Sequence, residues 1–213
     1  MTGIKLAPDV IALHGLKGAG KDTVAQMILK YRPQMKTWAF AHKLKEVCAL
    51  AFHVPLRYFY DEHLKEQALD VLVPGYRHQY VTPRLLMKDM ADTLKAKFGA
   101  DFFAVDLAWA ATSKDYAGGM IVTDLRAYDG EERVMVDRVG ARVIHILRPV
   151  NDVYAAGDAH GSEKALPIRD GDIIIVNEGT KRDLLLKVRG AIQMIFGQDA
   201  LKAYPYVPDD PEI

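Results

Sequence analysis

Val10-Ile11-Ala12-Leu13-His14-Gly15-Leu16-Lys17-Gly18-Ala19-Gly20-Lys21-Asp22-Thr23 is the stretch that decides how this chain is read. The run from Asp9 to His14 is short, apolar and stopped by glycine, which predicts a buried strand. From Asp22 to about Lys30, Val24, Met27 and Ile28 recur at helical spacing, so a helix follows directly. Between them stands glycine, four residues, then Gly20-Lys21, with the hydroxyl of Thr23 one position later than usual. Glycines let the backbone curl so that successive N–H groups point inward, and the helix N-terminus adds its positive dipole end. Glycines alone would fit a turn that binds nothing. Strand, lysine and helix in this order instead predict a phosphate loop built from Gly15, Lys17, Gly18, Ala19, Gly20, Lys21, Asp22 and Thr23.

Outward from that loop, short apolar runs alternate with amphipathic stretches. Thr37 to Ala41 reads as a second strand, and Leu44, Val47, Cys48 and Ala51 share one helical face. Residues 55–113 have few β-branched runs and read as mainly helical, with Leu86, Met90 and Leu94 following the helix-start pair Thr82-Pro83. Met120 to Asp124 is strand-like, Glu131 to Val139 helical, and Arg142 to Leu147 strand-like again. Residues 148–170 hold Pro149, Gly157, Gly161 and Pro167 without a sustained period and read as a loop. Asp172 to Val176 is the last strand, and Leu184, Leu185, Val188, Ile192 and Ile195 line a closing helix. The tail at 203–213 reads as extended. The expectation is an α/β fold with a mainly parallel sheet: one domain over 1–213, with a helical substrate-facing subdomain at 55–113.

Composition narrows the function classes. The 213 residues carry 28 Lys+Arg against 28 Asp+Glu, and this balance argues against a dedicated nucleic-acid binder, which needs a basic excess. Half the residues are hydrophobic, enough for a real core. The one cysteine, Cys48, can form neither an internal disulfide nor a thiolate zinc cage, and it reads as a small buried apolar residue. No signal peptide and no long apolar run is seen, so the expectation is a soluble protein of the cytoplasm, without membrane contact. No histidine pair has zinc-ligand spacing, and Lys95 with Lys97 reads as a solvated helix face.

Asp124 closes its apolar run and therefore belongs at the carboxyl edge of a strand, where open α/β sheets bind ligands. Beside a phosphate loop, an acid there completes a Mg²⁺ site or orients an acceptor, and Arg126 two residues on matches phosphate oxygens in a bidentate way. Lys21 is the residue that places charge between the β- and γ-phosphates. Asp22 stands where a hydroxyl usually ligates the metal. It can act through water, Thr23 can take over, or Asp22 is simply a first-turn acid favoured by the helix dipole. Lys45 reads either as a ligand for a substrate phosphate or as a solvated helix lysine. Arg148 opens the 148–170 loop and can clamp phosphates, while His160 and Glu163 either contact substrate or join loop ends.

A set of short motifs occurs in one order: Lys21-Asp22-Thr23, Phe40-Ala41 with Leu44-Lys45, Asp124-Leu125-Arg126, Arg148-Pro149, His160-Gly161-Ser162-Glu163 and Asn177-Glu178-Gly179-Thr180. Together with the run from Ala165 to Asp172, this set resembles the phage deoxynucleoside monophosphate kinase family, a branch of the P-loop kinases. The resemblance spans about Val10 to Val188 and is densest after Met120. It implies a three-layer fold that transfers the γ-phosphate of ATP, with Mg²⁺, to a deoxynucleoside 5′-monophosphate. It implies that Arg84 and Arg126 face the substrate, that residues 148–170 close as a lid, and that Asn177 to Thr180, with Gly179, lie near the base or brace the phosphate loop. Homodimerisation enters only through some members of that family.

The chain departs from the family pattern in the helix near Arg84, where the sequence is Arg84-Leu85-Leu86-Met87-Lys88-Asp89-Met90-Ala91-Asp92. Lys88 replaces a glutamine and Ala91-Asp92 replaces Gly-Thr, which leaves the accepted base open. The segment after Arg126 is slightly longer, so the matching acid is Glu131 or Glu132. The expected activity is therefore a Mg²⁺- and ATP-dependent kinase of a deoxynucleoside monophosphate, with Lys21, Asp124, Arg126 and Arg148 in catalysis. Lys45, Arg84, Lys88, Arg126, Glu132 and Glu163 would meet the acceptor, Asp22, Thr23 and Asp124 the metal, and Asn177 and Gly179 the nucleotide. The rivals are a kinase of a modified base in DNA or of dephospho-coenzyme A, and a nucleotide-binding regulator without transfer activity.

Overall fold

The computed structural model describes residues 9–70, 80–126, 131–149 and 166–201. In chain order these form β1 (Val10–His14), α1 (Lys21–Tyr31), β2 (Lys36–Trp38), α2 (Ala41–Phe52), α3 (Arg57–Tyr60), α4 (Pro83–Phe98), α5 (Val105–Thr112), β3 (Met120–Leu125), α6 (Glu131–Arg138), β4 (Arg142–Leu147), β5 (Ile173–Val176) and α7 (Lys181–Phe196). Short 3-10 turns lie at Leu64–Glu66, Lys114–Tyr116 and Gln198–Leu201. The chain divides into two compact units, one of Met1–Ala39 with Ala104–Ile213, the other Phe40–Phe103. The helical stretch expected at 55–113 crosses this division, with Val105–Thr112 in the first unit.

The first unit is built on a five-stranded sheet in the order β2-β3-β1-β4-β5, every pair parallel. Parallel strands are fed by crossover helices and are buried on both faces. The alternation along the strands shows this. Ile11, Leu13, Ile121, Ile144, Ile146 and Ile175 join one core with Val24 and Ile28 of α1 and Leu185, Val188 and Ile192 of α7. The residues between them, Val10, Ala12, Met120, Val122 and Val143, are also buried on the opposite face. Full burial of each large aliphatic side chain contributes about 1.5–3 kcal/mol, so this core dominates the unit's stability.

Two boundaries differ from the sequence expectation. The second strand is Lys36–Trp38 rather than Thr37 to Ala41, because Phe40 already takes helical angles as the residue before α2. The last strand begins at Ile173, and Asp172 instead serves as a polar hub described below. Helix α7 starts with a capping box: the Thr180 hydroxyl accepts from Asp183 N, and the Asp183 carboxylate accepts from Thr180 N.

The second unit packs Leu44, Cys48, Val54, Phe59, Val81, Leu86 and Phe103 into its own core. Cys48 is buried, and burial pushes its thiol up to about 11, so it is an inert core residue. Helix α4 is capped by Thr82, whose hydroxyl accepts from Leu85 N at 3.2 Å, with Pro83 at the first helical position. Glu163, His160, most of the 148–170 segment and the tail at 203–213 lie outside the described residues. Among the described residues no helix is long and apolar enough to cross a membrane.

Candidate active site

The sheet order reverses direction at β1: the chain goes out to β2, returns to β3, and then crosses to β4 on the other side. Open α/β sheets bind ligands at the carboxyl edge beside such a switch point. The loop from Gly15 to Gly20 leaves β1 at that edge and enters α1. Two glycines are required there by space and by conformation. A Cβ on Gly15 would stand 2.6 Å from the Ile146 carbonyl oxygen. Gly20 has φ 102°, and a Cβ there would stand 2.7 Å from Asn177 Nδ2.

Lys21 Nζ donates to the carbonyls of Gly15 at 2.6 Å and Leu16 at 3.0 Å, which folds the ammonium over the loop. The loop closes on itself through Ala19 N to Leu16 O at 3.1 Å. It is held from the far side by Asn177, whose Nδ2 donates to Ala19 O at 2.8 Å, and by Arg148, whose Nη1 donates to Gly18 O at 3.1 Å. Unlike α4 and α7, α1 has no side-chain cap at its N-terminus. Its first-turn N–H groups therefore have no capping side chain, and together with Lys21 they present a set of donors suited to an anion. Lys17 is exposed on the loop, Asp22 is exposed on the first turn, and Thr23 is half-buried behind it.

Asp124 and Arg126 stand on the neighbouring strand edge. The β1–β3 register pairs Ala12 with Val122 and then His14 with Leu125, so three residues of β3 span two of β1. Asp124 and Arg126 are half-buried on either side of Leu125, and Arg126 N donates to Glu132 Oε2 at 2.8 Å. Glu132 is thereby fixed to the backbone of the Asp124-Leu125-Arg126 segment. Gly179 precedes the capping residue Thr180 at the start of α7.

The structure thus brings together Gly15, Gly18, Ala19, Lys21, Arg148 and Asn177 by direct hydrogen bonds, and sets Asp124, Arg126 and Glu132 on the adjoining strand edge. Lys45, Arg84 and Lys88 belong to the second unit. There Lys45 Nζ lies 4.1 Å over the Tyr60 ring, Arg84 Nε donates to Glu66 Oε1 at 2.5 Å, and Lys88 is exposed on α4. Among the described residues no group of three or more His, Cys, Asp or Glu side chains could hold a metal ion alone. Magnesium at a phosphate site needs no such cage, since one or two carboxylates join water and substrate phosphates, and Asp22, Thr23 and Asp124 have the oxygen chemistry it takes.

Sequence reasoning missed a polar network behind the site. His14, 5% exposed at the end of β1, bonds Leu125 O through Nδ1 at 2.9 Å and accepts from Leu166 N at Nε2, also at 2.9 Å. Burial, with smaller contributions from His145, Lys21 and Arg133, outweighs the Leu125 bond and lowers its pKa to about 4, so the ring is neutral at pH 7. His145, its register partner on β4, bonds Asp172 at 2.9 Å. Asp172 also takes two bonds from the Arg133 guanidinium, at 2.8 and 2.9 Å, and one from Arg169 N. Burial pushes the Asp172 carboxyl up, but these donors win and hold it well below the usual carboxylate range. The only sequence signal is a histidine inside each of two apolar runs, and the sequence does not say that those strands are neighbours.

The family described as deoxynucleotide monophosphate kinase matches residues 84–188, a segment that includes Arg84, Asp124, Arg126, Arg148, Asn177 and Gly179. The chain is 39% identical over 57 residues to a deoxynucleotide monophosphate kinase of Enterobacteria phage T4, a match covering 27% of this chain and 22% of that protein's length. A deoxynucleotide monophosphate kinase of Escherichia phage RB69 is 25% identical over 245 residues, covering 84% of this chain and 98% of the relative. Among solved structures, an unliganded sugar kinase from Janibacter sp. HTCC2649 aligns over 89% of this chain and 96% of its own, with 14% identity and a TM-score of 0.35, too low to carry an argument. The chain is related in sequence to the deoxynucleotide monophosphate kinases of phages, through a family segment that takes in the strand-edge acid and arginine of the site.

Proposed function

We propose that this protein transfers the γ-phosphoryl group of ATP to the 5′-phosphate of a deoxynucleoside monophosphate, yielding ADP and the deoxynucleoside diphosphate. The observation that carries the reading is the coincidence of two independent features. A phosphate loop, recognised from glycine geometry and Lys21, lies outside the family segment, and the strand-edge residues Asp124 and Arg126 beside it lie inside.

In this reaction the first-turn N–H groups of α1 and the loop backbone hold the donor's phosphates. Lys21 exchanges the carbonyls of Gly15 and Leu16 for phosphate oxygens and stabilises charge on the group in flight. Asn177 and Arg148 keep the loop in shape from its outer side. Arg126 holds the acceptor phosphate, with Arg84, Lys45 and Lys88 as further acceptor contacts. Asp22, Thr23 and Asp124 are the residues that would hold Mg²⁺, directly or through water, and the ion would neutralise the developing phosphate charge. An acceptor phosphate is already ionised near neutral pH, so the chain needs no strong general base, and positioning with charge stabilisation carries the rate.

The test is ADP release from ATP and Mg²⁺ against deoxy- and ribonucleoside monophosphates, modified-base monophosphates, dephospho-coenzyme A and duplex oligonucleotides. Strong stimulation by one or two deoxynucleoside monophosphates is the expected result, and it names the base that the Lys88 and Asp92 positions admit. ATP binding without stimulation by any monophosphate would overturn the proposal.

A further inference from the structure

The β1–β3 ladder is not regular where it matters. Val10, Ile11 and Ala12 face Met120, Ile121 and Val122 one to one, but His14 faces Leu125, so β3 carries one extra residue within Thr123-Asp124. An extra residue of this kind bends its strand and re-aims the side chains around it, and it persists only where something fixes it. His14 is the side chain found at that point. Its Nδ1 is 2.9 Å from the carbonyl of Leu125, the residue between Asp124 and Arg126. Its Nε2 accepts from Leu166 N, so the ring proton sits on Nδ1 and the Leu125 carbonyl receives it. The ring is buried and rests edge-on against His145, 5.3 Å between centroids, which leaves it little freedom to turn.

We infer that His14 is a positioning residue for phosphoryl transfer: its ring pins the extra residue of β3 and so sets where Asp124 and Arg126 stand at the sheet edge. The following N–H, that of Arg126, is held separately by Glu132. The segment is thus gripped at the middle carbonyl from β1 and at the next amide from α6. The effect of His14 passes through Leu125. This inference rests on the kinase reading above and adds a residue that neither the phosphate loop nor the acceptor arginines account for.

His14→Gln and His14→Asn separate the two bonds. Asparagine carries an amide N–H₂ near the Nδ1 position and keeps the Leu125 bond while releasing Leu166 N. Glutamine reaches toward Leu166 and withdraws from the Leu125 carbonyl. With the best acceptor of the wild-type panel, H14Q should lower kcat roughly tenfold and raise the acceptor KM several-fold, a loss typical of a displaced rather than a deleted group. Its affinity for a fluorescent ATP analogue should stay within about twofold, and H14N should keep kcat and acceptor KM within about threefold of wild type. Val188→Ala, a core change in α7, controls for lost stability alone. Should H14Q fail to fold, His14→Ser, which also gives up the Leu125 carbonyl, carries the same comparison. Wild-type kcat and acceptor KM in the folded variant overturn the inference. So does equal impairment of H14N and H14Q that tracks their melting temperatures as V188A does. Absence of transfer by the wild type to any acceptor is a different result: it removes the kinase reading, and the inference with it.

Discussion

Asn177, just past the end of β5, donates to the carbonyl of Ala19 in the phosphate loop across 158 positions of sequence. The same amide fixes the side of the loop against which Gly20 lies, since a Cβ there would come within 2.7 Å of it. Asn177→Ala should leave the Ala19 carbonyl without this donor and loosen the loop, weakening ATP about tenfold, the worth of one hydrogen bond to a part-buried acceptor. Asn177→Asp should be worse, because a carboxylate would face a carbonyl oxygen. Titration with a fluorescent ATP analogue decides it, and equal affinity in wild type and N177D would show that the contact does not shape the loop.

Lys21→Ala should lose at least roughly a hundredfold in turnover with the fold intact, since its charge acts mainly on the transition state. Its partners include two loop carbonyls, which water can serve once the ammonium is gone. A melting temperature near wild type together with collapsed kcat is the expected pair of readings. Normal turnover in the folded variant would remove the phosphate-loop assignment.

Arg84 is paired with Glu66 at about half exposure on both side chains, and a pair of that kind contributes little to stability. Arg84→Ala should therefore change the melting temperature hardly at all while raising the acceptor KM roughly tenfold and leaving ATP affinity alone. Glu66→Ala separates the two roles of the arginine. If Arg84 serves the acceptor, E66A leaves it available and acceptor KM stays near wild type; a rise equal to that of R84A would mean that the pair itself is what matters.

Asp172 binds Arg133 with both carboxylate oxygens while both side chains are nearly inaccessible, 4% and 6% exposed. Removing one partner of such a pair costs roughly 3–5 kcal/mol where no second partner remains. Removing Asp172 leaves the buried Arg133 with the partly exposed Asp137, whose carboxylate accepts from its Nε at 2.9 Å, so the cost here is about 2–3 kcal/mol. Asp172→Asn should accordingly destabilise by about that amount in urea unfolding and should also disturb His145, which loses its charged acceptor. Arg133→Met together with D172N should recover much of the loss, because it removes the buried charge and leaves Asp137 partly exposed and still paired with Arg169. Additive losses in the double variant would contradict that account.

The local parts of the molecule are legible because local rules govern them. The apolar run before Gly15, the lysine after Gly20, Thr82-Pro83 ahead of α4 and Asp124 at the end of its strand can each be read from a few neighbouring residues. What cannot be read depends on packing and on pairing between distant elements. The second strand reads too late, at Thr37 to Ala41, because Phe40 is as apolar as a strand residue and only the packing of α2 draws it into a helix start. Asp172 reads as the first residue of the last strand, whereas its role comes from Arg133 on α6, 39 positions away. His14 and His145 look like polar interruptions of two strands until the register makes them neighbours.

His14 gives the protein a stability that depends on pH. Its ordinary pKa of 6.5 falls to about 4 in the folded chain because burial penalises the imidazolium. Above 6.5 both folded and unfolded forms are neutral here and the group adds no pH dependence. As pH falls below 6.5 the unfolded chain takes up the proton first, and folding loses free energy progressively until about pH 4, where the folded protein protonates too. At 1.36 kcal/mol per pKa difference of one, the loss across that window approaches about 3 kcal/mol. Urea unfolding of wild type and H14N at pH 7, 5.5 and 4 isolates it, because every other titrating group is common to both proteins. The stability of wild type relative to H14N should fall by about 3 kcal/mol from pH 7 to pH 4. Parallel curves for the two proteins would show instead that the buried ring accepts its proton without cost.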